Sequence, residues 1–582
     1  MRTPLLRSRG MTFVDVVVGS ALILLVFTGI MAGVRLGVEL LGLARAEQGA
    51  LSIATEEIEY IRSLPYDDVA TFGGIPAGSI PQSESVELNG ITYTKRVFVQ
   101  YIDAPEDGSG INDENDIVAD YKRVRVGVSW ETRGKEYETT LVTNVAPLGI
   151  ETIVGGGTLQ IQVFDALVTP VAGATVRVTN ASTSPAIDVT TETGDDGLVF
   201  FPGAPTASGY SVVVSKEGYS SAQTYAVSAG NTSPDPGFVT VAEGQTSSLS
   251  FAIDRLSSMA IRTQLPVEPA TTTDSFDDSS LVADVSDVQV SGGEATLASG
   301  DLGYQSSGML YSTEVTDPLM HAWTSLSWTD DEGAGTSATY RLYYMDTNDV
   351  RQLVPDAALS GNAAGFTTSP VDLSAFDAAQ YDSLIVGIEF ETNNPAVTPS
   401  VESWSLAYEV GPTPLPNIDF DLQGAKTIGS VGELTPVYKY QASLATDGNG
   451  DYDADELEWD TYELTVPSST GYDISELCPV QPIVLNPNTD LDVSVTLEPH
   501  TTRSLRVVVV DPSGVALPDA SVRLSGTGYD ETMETSDCGQ VFFTNPGVVQ
   551  YALDTTLAGY IADLRTHTVE GTDVVVVTLS PN

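Results

Sequence analysis

The stretch RSRGMTFVDVVVGSALILLVFTGIMAGVRLGVELLGLARAEQGALSIATEEIEYIRSLPYDDV, Arg7 to Val69, decides how the rest of the chain is read. A basic leader (Arg2, Arg7, Arg9) ends in Gly10, and Val16 to Val34 then run for nineteen residues without a charge. Such a run is long enough to cross a bilayer as a helix. Asp15 stands at its front, where an ionised carboxylate is costly. Beyond Arg35 the pattern stays helical but turns amphipathic, with Ala46, Ala50, Ala54, Ile58 and Ile61 stepping along one face. Pro65 ends it. Read as one element from Met11 to Arg62, the helix would be about 78 Å long. The leader charges place residues 1–10 in the cytoplasm and the C-terminal head outside it, as in a single-pass membrane protein.

These residues resemble the N-terminus of type IV prepilins and of type II secretion pseudopilins. The family pattern is a short basic leader, a Gly at the cut site, a residue often Phe or Met, and an acid at the fifth mature position. Here Gly10, Met11 and Asp15 carry it, with Asp in place of the usual Glu. The resemblance implies cleavage after Gly10 by a prepilin peptidase and N-methylation of Met11. It also implies that Asp15 pairs with the free amine of a neighbouring pilin or pseudopilin subunit during assembly. An ordinary secretory signal would place its small residues after the apolar run, whereas Gly10 precedes it. An uncut signal anchor is the other alternative.

Length and charge bound the remainder. About 520 residues follow the helix, too many for one core and suited to about four domains. The net charge is −54, from 79 acids against 25 bases. Three of those bases lie in residues 1–10, so their removal makes it −57. So acidic a chain has no non-specific affinity for nucleic acid or an anionic bilayer surface. Solubility, a salty habitat or divalent cations would each account for the acidity. Two cysteines exclude a disulfide-rich scaffold and argue against a cysteine-ligated metal.

Residues 63–149 read as a small β domain with strands Ile91–Tyr101, Tyr121–Glu131 and Lys135–Val145. In DYKRVRVGVSW, Val124, Val126, Val128 and Trp130 alternate as in a half-buried strand. The block resembles the globular part of minor pilins, where the helix runs straight into an antiparallel sheet. The glycines 155–157 read as a hinge about which the head swings. A repeat follows. LQIQVFDALVTPVAGATVRV (Leu159–Val178) aligns without gaps to LRVVVVDPSGVALPDASVRL (Leu505–Leu524) at an offset of 346. DDGLVFF (Asp195–Phe201) matches DCGQVFF (Asp537–Phe543), and Thr446–Tyr472 is a divergent copy. Alternating strands between Asp-Gly and Asn-Gly turns imply antiparallel sandwiches.

The repeat resembles carboxypeptidase regulatory-like domains and the B-type domains of collagen adhesins, in the transthyretin-like group. Ala174, Gly197, Phe200 and Tyr210 carry the signature in the first copy, and Ala520, Gly539, Phe542 and Tyr551 in the last. The divergent copy keeps Gly450 and Tyr462. The name implies no peptidase activity, and the first strands lack the lysine of the isopeptide-bonded relatives. The expected domains are 158–258, a jelly-roll or lectin-like sandwich over 260–411, then 414–499 and 503–582. In the second of these, Trp323, Trp328 and Trp404 are placed on alternating faces. The expected fold is thus mainly β, with one long N-terminal α-helix, a pilin-like small β domain and several antiparallel β-sandwich modules in tandem.

No catalytic constellation stands out, because His321, His500 and His567 fall in three separate modules. An enzyme is not expected. Two acidic segments are calcium candidates. Asp447, Asn449, Asp451 and Asp453, with Asp455 and Glu458, have calcium-loop spacing, but Tyr452 stands where that loop needs Gly. The other reading makes DGNG the module's turn. Asp103, Asp107, Asp113 and Asp116 crowd a loop between two strands, where acids are either solvated or metal-bound. Outside the cytoplasm Cys478 and Cys538 are expected to pair. The expected function is that of a minor type IV pilin-like surface protein whose modules bind an extracellular glycan or protein. A pseudopilin of a secretion machine and a plain anchored surface protein are the alternatives.

Overall fold

The computed structural model describes residues 13–102, 120–132, 134–147, 155–432, 435–547 and 549–582. One helix, Phe13–Ser63, precedes mainly antiparallel sheets arranged in tandem. The helix's C-terminal half lies on a four-stranded meander, Ser83–Leu88, Ile91–Ile102, Tyr121–Thr132 and Lys135–Val145. Ala46, Ala50, Ala54, Ile58 and Ile61 face the sheet and are buried against Val97, Val124, Val126 and Val128. The alanines let the two backbones approach closely. Removing each isoleucine from water contributes about 2 kcal/mol. Gly49 shows how tight the seat is, since a Cβ there would lie 2.5 Å from the Tyr93 hydroxyl. That hydroxyl donates to the Ala46 carbonyl at 3.0 Å.

Three sandwiches share one plan. In module 1 the strand Gly157–Phe164 lies between Leu198–Ala204, antiparallel, and Thr246–Ala252, parallel. In module 3 Ser504–Val510 lies likewise between Gln540–Thr544 and Thr572–Thr578. The same trio in module 2 is Ser257–Leu265 between Asp451–Leu457 and Asp490–Pro499. Each has a left-handed glycine before the antiparallel strand: Gly197 (φ 71°), Gly450 (φ 84°) and Gly539 (φ 67°). A Cβ on any of them would strike a first-strand carbonyl, of Val163, Thr263 or Val509, within 2.7 Å. Only glycine fits. Tyr210, Tyr462 and Tyr551 are buried in the cores, and each hydroxyl donates to a carbonyl four or five residues upstream. Thr193, Thr446 and Thr535 accept through their hydroxyls from the amides of Ala174, Ile418 and Ala520.

Module 2 is therefore discontinuous, which corrects the boundaries read from sequence. Its first strand, Ser257–Leu265, falls inside the stretch assigned partly to module 1 and partly to the 260–411 sandwich. That sandwich spans 268–410 and is an insert. In modules 1 and 3 the first strand is followed by a tight turn at Asp165 or Asp511, and Val171 or Leu517 then donates back to it. In module 2 the equivalent donor is Leu415, bonded to the Thr263 carbonyl, and the whole insert replaces the turn. Both crossings are paired, Leu265 with Thr413 and Glu268 with Val410. Loop tips tolerate such insertions.

The insert packs two six-stranded sheets around Phe276, Trp323, Trp328, Tyr340 and Trp404. All three tryptophans face the core, not alternate faces. The strand Met320–Asp331 shifts register between Trp323 and Ser325, and a bulge of this kind resets the two-residue period. Trp328 then stands opposite Trp404.

Of the glycines at 155–157, Gly155 is exposed but Gly156 and Gly157 are packed, so the three do not serve as a free hinge. A Cβ on Gly156 would sit 2.4 Å from the Ala204 carbonyl, and one on Gly157 2.2 Å from that of Ala242. Module 1 is also docked on the helix-bound sheet. Ile75 inserts into the module 1 core, and Tyr101 packs on Phe200. Gln82 bridges the two bodies, donating to the Asp188 carbonyl at 2.6 Å and accepting from the Thr190 amide at 2.9 Å. Arg125 pairs with Glu192 across the same seam.

Candidate assembly helix and head surfaces

The helix changes character along its length while its backbone continues unbroken. Ile23, Phe27, Ile30, Val34, Val38 and Leu41 are all more than half exposed. Among the described residues this is the only helix long and apolar enough to cross a membrane. Asp15 lies in its first turn; Gly10 and Met11 lie outside the described residues. The exposed half thus offers a long apolar surface to lipid or to other helices, and the seated half fixes its direction relative to the head. A buried ion pair reinforces the seat, Lys95 Nζ lying 2.6 Å from Glu57 and 2.8 Å from Glu84. Desolvation works against the Lys95 charge, but the hydrogen bonds to Glu57 and Glu84 outweigh it and raise its pKa. Sequence patterning did not single out Glu57, a charge at 8% exposure on the sheet-facing side.

Asp103, Asp107, Asp113 and Asp116 lie outside the described residues. The second acidic segment is placed, and the calcium-loop spacing is not expressed as a loop. Asp447 Oδ1 accepts from the amides of Asn449 (2.8 Å) and Asp451 (3.0 Å). Asp346, Asp165 and Asp511 close turns by the same pair of bonds to residues two and four ahead. A strand begins at Asp451, so Asp451 and Asp453 are strung out along an extended backbone and do not wrap round one point. Asp451 pairs with Arg262 at 2.7 Å, and Glu458 is held by Lys426 and Lys439. Asp453 and Asp492 line an open groove of 450 Å³ with Arg262. Among the described residues no three His, Cys, Asp or Glu gather to hold a metal ion.

The junction of modules 2 and 3 is closely built. Cys478 and Cys538 are joined by a disulfide, with Cα atoms 5.7 Å apart. Beside it the Gln540 amide clasps the Leu477 backbone, accepting from its N–H at 3.2 Å and donating to its carbonyl at 2.7 Å. Gln540 stands where module 1 has Leu198, and that polar residue in an apolar strand position was a readable sign of a partner. Asp473, 6% exposed, accepts from the Thr501 amide and the Ser504 hydroxyl and bonds to His500 Nδ1 at 2.8 Å. The serine addresses the carboxylate and not the ring, so these three are not arranged for nucleophilic attack. Arg506, on the face beneath this junction, is 7% exposed, and its Nε and Nη1 have no hydrogen-bond partner. Burial lowers its pKa to about 10, so it stays charged at neutral pH.

Modules 1 and 2 share a small sheet in which Ser233–Pro234 pairs with Gly429 and Ser430. Asn231 donates to the Ile428 carbonyl at 2.8 Å and Lys439 to that of Ser221 at 2.7 Å.

No family model matches the chain, and no curated protein matches it. Among solved structures it is similar to the Bacillus anthracis TIE protein, at 13% identity over 86% of this chain and 73% of that one, TM-score 0.15. The shaft pilin SpaA of Lactobacillus rhamnosus GG matches at 12% identity, over 30% of this chain and 90% of its own, TM-score 0.13. BcpA, the major pilin subunit of Bacillus cereus, matches at 10% identity over 73% of this chain and 99% of its own, TM-score 0.13. Scores this low carry neither fold nor role across.

Proposed function

We propose that the chain is a scarce, membrane-inserted subunit of a type IV pilin-like filament, cut after Gly10, whose sandwiches project as a binding head. The observation that carries this reading is the single unbroken helix, apolar and uncovered in front, seated on a four-stranded sheet behind. Such an element enters a bundle of like helices and leaves the sheet at its rim. Asp15, near the front, is then placed to meet a neighbour's terminal amine, which offsets the cost of its charge. About 430 residues follow Gly149, and the chain carries a net charge of −54. Repeated at the close spacing of packed helices, those heads would collide, and their repulsion is screened only over about 8 Å. A filament end accommodates both. The head's role is to bind an extracellular glycan or protein, without catalysis.

Mass spectrometry of the membrane-extracted protein tests the processing step, with a methylated Met11 as the expected N-terminus. Residue 1 retained, or a cut beyond Val34, rejects the pilin reading. Gold labelling of the head on sheared filaments is expected at filament ends. Dense labelling along the shaft rejects the scarce-subunit reading, and recovery only within a secretion complex assigns the chain to a pseudopilus.

A further inference from the structure

The three repeat modules treat one sheet edge in three different ways. In each, the last strand lies parallel to the first and presents its other side outward. In module 1 that strand, Thr246–Ala252, exposes Thr246, Ser248 and Ser250. In module 2 the edge is covered, because Tyr472–Cys478 leaves the common plan and pairs antiparallel with Asp490–Pro499. In module 3 the edge strand Thr572–Thr578 has no such cover among the described residues, and it is apolar. Val574 and Val576 are 51% and 52% exposed, while Val577 on the other face is fully buried. Side chains of the preceding strand, Asp563–Thr568, reach this edge strand: the guanidinium of Arg565 donates to the Val576 carbonyl at 3.1 Å, and His567 Nε2 lies 3.1 Å from Asp573. Uncovered edges invite pairing, and proteins ordinarily blunt them with polar residues, as module 1 does. Two valines on an open edge do the reverse.

One strand inward from this edge lies Arg506, on the central strand Ser504–Val510. Arg506 is in register with Val574 and shares its face of the sheet, and its Nε and Nη1 are buried without a partner. A buried cation with unused donors is costly until an anion reaches it. The same face continues into the junction with module 2, where Asp473 meets Ser504 and Thr572.

We propose that the outer edge of Thr572–Thr578 is a docking site for one extended strand of a different polypeptide. That strand pairs antiparallel, as Tyr472–Cys478 does on the equivalent edge of module 2. It carries apolar side chains opposite Val574 and Val576 and a carboxylate within reach of Arg506. A second copy of this chain is the poorer occupant, since each copy brings a net charge of −54. Backbone pairing supplies the affinity and the alternate side chains the selectivity. Arg565 swings off the Val576 carbonyl to admit the strand.

A fluorescent synthetic peptide alternating valine and threonine, with one terminal glutamate, is titrated into the full chain in detergent micelles. Saturable binding is expected, weakened at least tenfold by Val574→Lys with Val576→Lys. The matched Ser248→Lys with Ser250→Lys change in module 1 is expected to leave it intact. Hydrogen exchange on the unmodified chain supplies a readout free of folding effects: the peptide must protect amides within residues 572–578. No saturable binding, binding indifferent to the valine changes, or protection confined elsewhere overturns the proposal. A dimer that the lysine pair dissolves, with no peptide binding, overturns it in favour of a second copy.

Discussion

Thr263 and Gly450 are 187 residues apart in the chain, yet the Thr263 amide donates to the Gly450 carbonyl at 2.8 Å. The same bond joins Val163 to Gly197 and Val509 to Gly539 across a few tens of residues. Module 2 thus closes around its insert without altering its plan. Replacing residues 266–412 by the Asp-Pro-Ser-Gly turn of module 3 should leave modules 1 to 3 folded. Scanning calorimetry should lose one transition, that of the insert, and keep the rest. Collapse of the module 2 transition would show that the insert is structurally required.

Lys95 holds two carboxylates at the helix seat, and removing it strands Glu57 in a nearly dry site. Lys95→Met should destabilise the helix-bound domain by about 3 kcal/mol, the lower end of the cost of breaking a buried pair. Lys95→Met with Glu57→Leu should recover much of the loss. The folded pKa of Lys95 lies above its ordinary value. Its stabilisation is therefore complete below about pH 10.4 and is lost as pH climbs through the raised value. Denaturant melts of the wild type and Lys95→Met should converge in that alkaline range.

Asp447 is held below the usual carboxylate range by the amides of Asp451 and Asn449, and Asp511 by the Ser513 hydroxyl and the Val515 amide. A depressed folded pKa stabilises above the ordinary value, near about 3.9, and the gain disappears as pH falls through the depressed one. NMR titration should show both carboxylates protonating later than exposed aspartates. Asp447→Asn should be milder than Asp447→Ala, since asparagine keeps the accepting oxygen. Calcium should leave amide exchange at 447–458 unchanged, because the turn and Arg262 already use the oxygens of Asp447 and Asp451.

The Cys478–Cys538 link closes 60 residues across the last junction. Opening it with Cys478→Ser and Cys538→Ser should cost about 4 kcal/mol in the chain-entropy picture. Gln540→Leu, the module 1 residue, should add to that loss by freeing the Leu477 backbone. Limited proteolysis near 499–503 should accelerate in the combined variant and not in either alone.

Much of this architecture is legible in the chain because it follows from short-range rules. The face Ala46–Ile61 is a matter of helical period, and Gly197, Gly539, Tyr210 and Tyr551 recur at matched positions. What escaped reading depends on distant partners. The first strand of module 2 is hidden because Thr263 and its donor Leu415 at the restart are 152 positions apart. The inward turn of Trp323 and Trp328 hinges on a bulge that no two-residue alternation encodes. The spacing of Asp447 to Asp453 fits a calcium loop except at Tyr452, and the fixed hydrogen bonds of Asp447 show the turn that the spacing alone does not. Gly156 and Gly157 suggest freedom until the carbonyls of Ala204 and Ala242 are seen against them.

In all three repeat modules the chain enters on one strand and leaves on its parallel neighbour: 157–164 beside 246–252, 257–265 beside 490–499, 504–510 beside 572–578. Tension between a membrane-held helix and a ligand gripped near the C-terminus would pull these neighbours lengthwise past each other. Every rung between them is then loaded together in shear, not unzipped one at a time. The insert, entered and left through paired strands at Leu265–Thr413, hangs beside that line of force and carries none of it.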